Sequence, residues 1–109
     1  MSRRCRRGEI WWADLPDDKE RPCIVLTNDR MLPTVDRVTV VPITTTIRGL
    51  DVEADVSSDE SGLRLPSVAN CGNLQTVSRR CLTELVGPLT QDTLNGVVEA
   101  LHHALDLEW

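Results

Sequence analysis

A chain of 109 residues with 40% hydrophobic residues and a net charge of −5 is long enough for one domain with a modest core and too apolar for a disordered tail. The charge is unevenly divided: residues 1–50 carry nine Arg/Lys against seven Asp/Glu, residues 51–109 three against ten. That excess of acid argues against tight, sequence-blind binding to duplex DNA. Phe and Tyr are absent and the aromatics are Trp11, Trp12 and Trp109, so the core must rest on Val, Leu and Ile, which suits short strands.

Arg3, Arg4, Arg6 and Arg7 crowd the N-terminus. Such a cluster can contact phosphates, but chain ends are usually loose, and residues 1–7 are expected to be a flexible basic terminus. Residues 9–13 form a first strand on which Trp11 and Trp12 face opposite ways. One belongs to the core; the other is available to a dimer interface or to stack on a base. Leu15 to Glu20 is a turn-rich connection of about six residues. A second strand follows over 22–27, with Pro22 acceptable at its first position, then a polar loop over 28–36. Residues 37–44 alternate as a third strand in which Pro42 implies an edge or a bulge.

Beyond a turn at Gly49, residues 51–56 place Val52, Ala54 and Val56 on one face and Asp51, Glu53 and Asp55 on the other, a half-exposed strand. After an acidic loop over 57–62, short strands are expected at 67–71 and 73–77, bent at Gly72, and at 81–86, stopped by Gly87-Pro88. The period then changes. Thr90 caps a helix whose N3 position is Thr93, with Asp92 in its first turn, and Leu94, Val97, Val98, Leu101 and Leu105 make one apolar stripe. The fold expected over residues 1–109 is mainly β with a C-terminal helix, a small barrel-like domain.

Cys5, Cys23, Cys71 and Cys81 show no C-x-x-C and no His spacing for zinc. Cys23 and Cys71 read as small core residues, and spacing leaves a disulfide open. No long apolar stretch or signal-peptide pattern stands out, so a cytoplasmic protein without a membrane partner is expected. No metal or other cofactor is expected.

Chemistry concentrates in two places. Arg21 opens the second strand, and its guanidinium fork suits a phosphate or a phosphorane-like transition state. Locally it reads more readily as a strand-end arginine paired with Glu20 or Asp17. Thr44, Thr45 and Thr46 end the third strand, where hydroxyls can donate to a phosphate oxygen, although threonine is ordinary in strands. His102 and His103 read as solvated helix residues, and the acids nearest Arg21 are Asp17, Asp18 and Glu20. Without a metal site, RNA fits this inventory better than DNA, because its 2′-hydroxyl is an internal nucleophile. Asn70, Asn73 and Gln75 around Gly72 can read unpaired bases, or can bond their own backbone.

In order and spacing, Gly8-Glu9-Ile10-Trp11, Arg21-Pro22 before Ile24-Val25-Leu26-Thr27, Val41-Pro42-Ile43-Thr44, Ser67-Val68 through Asn73, Gln75-Thr76 and the terminal helix resemble the MazF/PemK toxin family. These are the mRNA interferases of bacterial toxin–antitoxin pairs. The resemblance implies a homodimer of small SH3-like barrels of the MazF/Kid/CcdB type. It implies cleavage of single-stranded RNA (mRNA, with tRNA and rRNA as further substrates) at a short sequence, without metal. The products would be a 2′,3′-cyclic phosphate and a 5′-hydroxyl, and a cognate antitoxin would cover the RNA groove. The family's catalytic arginine and threonine match Arg21 and Thr44, and Glu20, Thr27, Asn28, Thr45, Asn73 and Gln75 are the residues expected to place RNA. Two departures leave the general base unassigned: the loop before Arg21 is short, and Gly72-Asn73 stands where many members have an acid. The alternatives are a CcdB-like gyrase-binding toxin, acting through the C-terminal helix near Trp109, and an inactive barrel binding module.

Overall fold

The computed structural model describes residues 4–16, 19–57, 63 and 65–107. Arg3, Asp17, Asp18, Trp109 and most of the acidic loop after Ser57 therefore lie outside the described residues. Seven strands and one α-helix are present among the described residues: β1 Glu9–Asp14, β2 Glu20–Val25, β3 Arg37–Thr44, β4 Glu53–Asp55, β5 Val68–Asn70, β6 Gln75–Ser78, β7 Leu82–Pro88 and α1 Gln91–Leu105. The mainly β body with a single C-terminal helix is as the sequence leads one to expect.

All pairings are antiparallel. β1 lies between β2 and β7, β2 pairs β3, and β3 pairs β6 through its first half and β5 through its last two residues; β4 closes onto β5. The two-residue period of the strands divides the apolar side chains between two clusters. Trp11, Ala13, Cys23, Val25, Val38, Val40, Val77 and Leu82 fill one. β6 and β7 stand at separate ends of the pairing order, yet both send a side chain there, so the sheet curls on itself as a barrel. Ile10, Ile24, Val41, Ile43, Ala54, Val56, Ala69 and Cys71 face the other way and meet Val97 and Ala100 of α1. Trp11 is the core tryptophan, its indole N–H donating to Glu9 Oε1 at 3.1 Å, and Trp12 is half-buried on the opposite face.

Pro42 departs from expectation, because β3 is paired on both sides. Thr39 turns its carbonyl to Leu26 N–H (2.9 Å) and its own N–H to Thr27 Oγ1 (2.8 Å), so it faces β2. Alternation then aims position 42 at the opposite edge. There the ladder to β6 ends at Val40↔Gln75 and that to β5 begins at Ile43↔Ala69. The proline's missing N–H falls in the gap between two ladders, where no bond is lost.

Other differences concern ends: β2 stops at Val25 rather than 27, β4 keeps only Glu53–Asp55, and a 3-10 turn over Cys71–Asn73 separates β5 from β6. β2 begins at Glu20 rather than residue 22, because Glu20 and Arg21 pair with Asp14 and Ala13. β7 runs on through Gly87 and Pro88, opposite Ile10 and Glu9, beyond a register shift. The basic terminus, expected to be loose over residues 1–7, is anchored from Cys5: Cys5 is buried, Arg6 N–H donates to Glu9 (2.7 Å), and Arg7 donates from its backbone to Asp29 (2.8 Å) and from its guanidinium to the Leu26 carbonyl.

The helix starts as read. Thr90 Oγ1 accepts the N–H of Thr93 at 3.2 Å, satisfying one of the amides a helix start leaves over. Its buried seam is Val97 and Ala100 flanked by Leu101 and Ala104, whereas Leu105 is half-exposed. His103 faces Asp51 across 3.8 Å in an exposed pair. All four cysteines are free thiols. Burial raises the thiol pKa of Cys5 and pushes that of Cys71 up to about 11.

Candidate active site

β2 and β3 are in register as Cys23↔Pro42, Ile24↔Val41 and Val25↔Val40. Extending that register two residues past Cys23↔Pro42 sets Arg21 opposite Thr44, and opposed residues of an antiparallel pair share a face. The two side chains that the sequence singles out, 23 positions apart, thus fall on one face, and both line the same grooves. Thr44 is fixed from its other side by β5, opposite Val68. Its Oγ1 accepts the N–H of Thr46 at 3.1 Å. That contact uses an acceptor site and leaves the hydroxyl proton to donate.

Arg21, Thr44 and Thr46 line two adjoining grooves. The larger, about 640 Å³, is walled by Trp12, Glu20, Pro22, Ile43, Thr45, Leu63, Leu65, Ser67 and Val86. The smaller, about 240 Å³, adds Pro42, Arg48, Glu53, Asn70 and Asn73. One side therefore offers an indole and aliphatic surface, the other amides and a second guanidinium, with Arg21 and Thr44 common to both. A planar apolar group fits the first and an anionic backbone the second.

Of the expected site residues, Glu20, Arg21, Thr44, Thr45 and Asn73 come together at these grooves. Thr27, Asn28 and Gln75 do not. Thr27 spends its hydroxyl on Thr39 N–H, and Asn28 Oδ1 accepts Arg30 N–H (2.8 Å) in a local turn. Both lie beyond the far end of β2, about 20 Å of extended chain from Arg21. Gln75 sits opposite Val40 in the β3–β6 ladder and lines neither groove. Asn70 behaves as a turn residue, its side chain accepting Gly72 N–H at 3.1 Å.

Sequence reading missed Arg48, Glu53 and Ser67. Ser67 is buried; it donates through Oγ to the Leu65 carbonyl (2.8 Å), and Ser57 Oγ donates to the Ser67 carbonyl (2.9 Å), holding the start of β5 under the larger groove. An alternation argument finds Glu53 only as a solvated strand position, because its role depends on loop curvature. A further cavity of about 760 Å³ beside the N-terminal segment is lined by Cys5, Glu9, Asp29, Asp36 and Arg79. Arg4 and Arg6 also line it, but Arg79 is committed to the carbonyls of Leu32 and Val35 (2.8 Å to the latter), and neither Arg21 nor Thr44 reaches it. No group of three or more His, Cys, Asp or Glu is placed to hold a metal among the described residues.

Over residues 6–105 the chain matches the family described as PemK-like, MazF-like toxin of type II toxin–antitoxin systems. The endoribonuclease MazF3 of Mycobacterium tuberculosis is 41% identical over 92 residues, covering 84% of this chain and 88% of that protein. Among solved structures, the M. tuberculosis toxin MazF-mt6 superposes with a TM-score of 0.85 at 40% identity, over 93% of this chain and 99% of that one. A mycobacterial endoribonuclease in complex with its cognate antitoxin gives 0.86 at 26% identity, over 97% and 99%. A family match that spans all seven described strands and the helix places this chain among the PemK-like, MazF-like toxins of toxin–antitoxin systems, the family of the MazF endoribonucleases.

Proposed function

We propose that the protein cuts single-stranded RNA through attack of a 2′-hydroxyl on the neighbouring phosphorus, with no metal required. The observation that carries this is that Arg21 and Thr44 both line an apolar groove and the adjoining groove that holds Arg48. A base stacks on Trp12 in the larger groove, and its 3′-phosphate rests between the guanidinium and the threonine hydroxyl. The 2′-oxygen bonds to phosphorus as the bond to the 5′-oxygen breaks. The proton lost by the first is balanced by that gained by the second, leaving a 2′,3′-cyclic phosphate and a 5′-hydroxyl. Charge accumulates on the non-bridging oxygens during this exchange, where a fixed cation and a preorganised O–H stabilise it most. RNA brings its own nucleophile, so positioning and charge stabilisation suffice.

The working form is a homodimer, and the partner that silences it is an antitoxin lying in the same grooves. The antitoxin complex of a mycobacterial relative supports that partner, and mRNA, tRNA and rRNA all supply the unpaired strand required. The test is cleavage of a long single-stranded RNA in EDTA by wild type and Arg21→Ala, with both new ends mapped. Cutting at one short motif, with a cyclic phosphate end and a loss of about 10²-fold or more in the variant, is expected. Intact RNA from a folded dimer, or an equally active Arg21→Ala, would overturn the proposal and make gyrase binding the next measurement.

A further inference from the structure

The loop joining β3 to β4 is gathered by one carboxylate. Glu53 Oε1 accepts the backbone N–H groups of Arg48 (3.0 Å), Gly49 (2.9 Å) and Leu50 (3.4 Å), and Glu53 N–H returns a bond to the Leu50 carbonyl (3.1 Å). Three successive amides converge on one anion only where the backbone curls into a concavity. Gly49 permits the curl at φ +73°, a conformation side chains rarely adopt. The concavity is thus filled from within the chain, and charge-assisted bonds hold the loop's shape.

That shape decides where Arg48 stands. It lines the smaller groove together with Arg21, Thr44, Thr46 and Asn73. Arg7, Arg37 and Arg79 use their guanidinium groups on the carbonyls of Leu26, Thr76, and Leu32 with Val35. The Arg48 side chain is exposed, and no described residue bonds its guanidinium. Arg48 therefore stands beside Arg21 along one narrow groove, where the one carboxylate among the described lining residues, Glu53, is engaged with its own loop. An RNA strand carries a charge at every linkage, so a strand that seats one phosphate at Arg21 must carry a neighbouring phosphate past this point.

We infer that Arg48 binds the phosphate next to the one seated at Arg21 and Thr44, on the side away from the apolar groove, and that Glu53 is the positioning residue that holds Arg48 there. The inference rests on the RNA-cleaving reading of the site and adds a second phosphate position to it.

The test uses a ten-nucleotide RNA centred on the mapped cleavage motif, alongside the same strand with a 2′-deoxy nucleotide at the cut position, which binds but cannot react. In Arg48→Ala, both KM and the Kd for the deoxy strand rise about tenfold, with kcat within about threefold of wild type. The dependence of log Kd on log salt flattens by roughly 0.7, the share of one phosphate contact on a single strand. A neutral methylphosphonate at the neighbouring linkage weakens wild type by a similar factor and leaves Arg48→Ala unchanged. Arg48→Lys recovers part of the affinity. Glu53→Gln, which keeps a carbonyl acceptor but not the charge, raises KM in wild type and has no further effect on Arg48→Ala. Normal cutting by wild type with an unaltered KM, Kd and salt slope in Arg48→Ala overturns this inference alone. A folded wild type that cuts no RNA overturns the cleavage reading and this one with it.

Discussion

Replacing Thr44 by valine separates the chemical role of its hydroxyl from its structural one. Valine keeps the β-branched shape that suits a strand end paired with Val68 and removes only Oγ1. The bond lost is the one accepted from Thr46 N–H at 3.1 Å, in an exposed turn where water replaces it. The expected cost in stability is below about 1 kcal/mol, a melting shift of no more than about 8 °C for a domain of this size. The cost in catalysis is of another order. A preorganised donor aimed at developing charge is worth about 10²–10³ in kcat, or roughly 3–4 kcal/mol. Thr44→Ser restores the hydroxyl and should stay within about tenfold of wild type, losing only the stiffness of the branched side chain. Single-turnover cleavage of a fluorophore–quencher RNA at saturating enzyme, run beside thermal melts, reads both quantities. A valine variant that cleaves within tenfold of wild type, or a serine variant as crippled as valine, refutes the donor role.

The other predictions test the surroundings. Trp12→Ala removes a stacking surface worth about 1–3 kcal/mol per base, so the Kd for an uncleavable RNA should rise roughly five- to hundredfold, and Trp12→Phe should recover most of it; an unchanged Kd would remove the base from the larger groove. Thr27→Ala deletes the acceptor for Thr39 N–H and should cost about 1 kcal/mol of stability while leaving cleavage kinetics alone. A fall in kcat/KM beyond tenfold with the fold intact would put Thr27 back in the site. The Cys71 thiol, pushed up to about 11 from 9.0 by burial, stays protonated in the fold where it would ionise in the unfolded chain. Its contribution is complete below pH 9 and is lost as pH rises towards 11, at most about 3 kcal/mol. Urea unfolding at pH 8 and pH 10.5 should show a smaller decline for Cys71→Ala than for wild type, and equal declines would contradict the assignment.

What could be read from the sequence was whatever local pattern controls. Strand β3 was legible to the residue because Val38, Val40, Val41 and Ile43 alternate between two buried faces, and α1 was legible from Thr90 because a cap and a 3.6-residue stripe begin together. The meeting of Arg21 with Thr44 needed the register of two strands, which no local pattern states. Thr27 and Asn28 were expected at the site through the family resemblance, but strand β2 runs from Arg21 to Val25 before them and carries them away from the grooves. The Glu53 role was hidden for a different reason. Alternation counts it as a solvated position opposite Ala54, and only the curled loop turns its carboxylate onto the amides of residues 48–50.

Pro42 links the architecture to the chemistry. A strand that pairs without interruption along both edges leaves no opening; β3 changes its outer partner from β6 to β5 between Val40 and Ile43. The residue in that interval has no N–H to leave unsatisfied, so the break costs the sheet little. Pro42 itself lines the smaller groove, beside Arg21, Thr44 and Asn73. The two strands that take over from β6, β5 and β4, also set the stage for the second phosphate position, because Glu53 begins β4 and is paired with Asn70 at the end of β5. Register sets Arg21 against Thr44, and the partner change at Pro42 opens the groove in which Arg48 stands. The site therefore occupies the place where the ladder is interrupted, and the two residues that sequence reading ranked first are those the ladder itself delivers there.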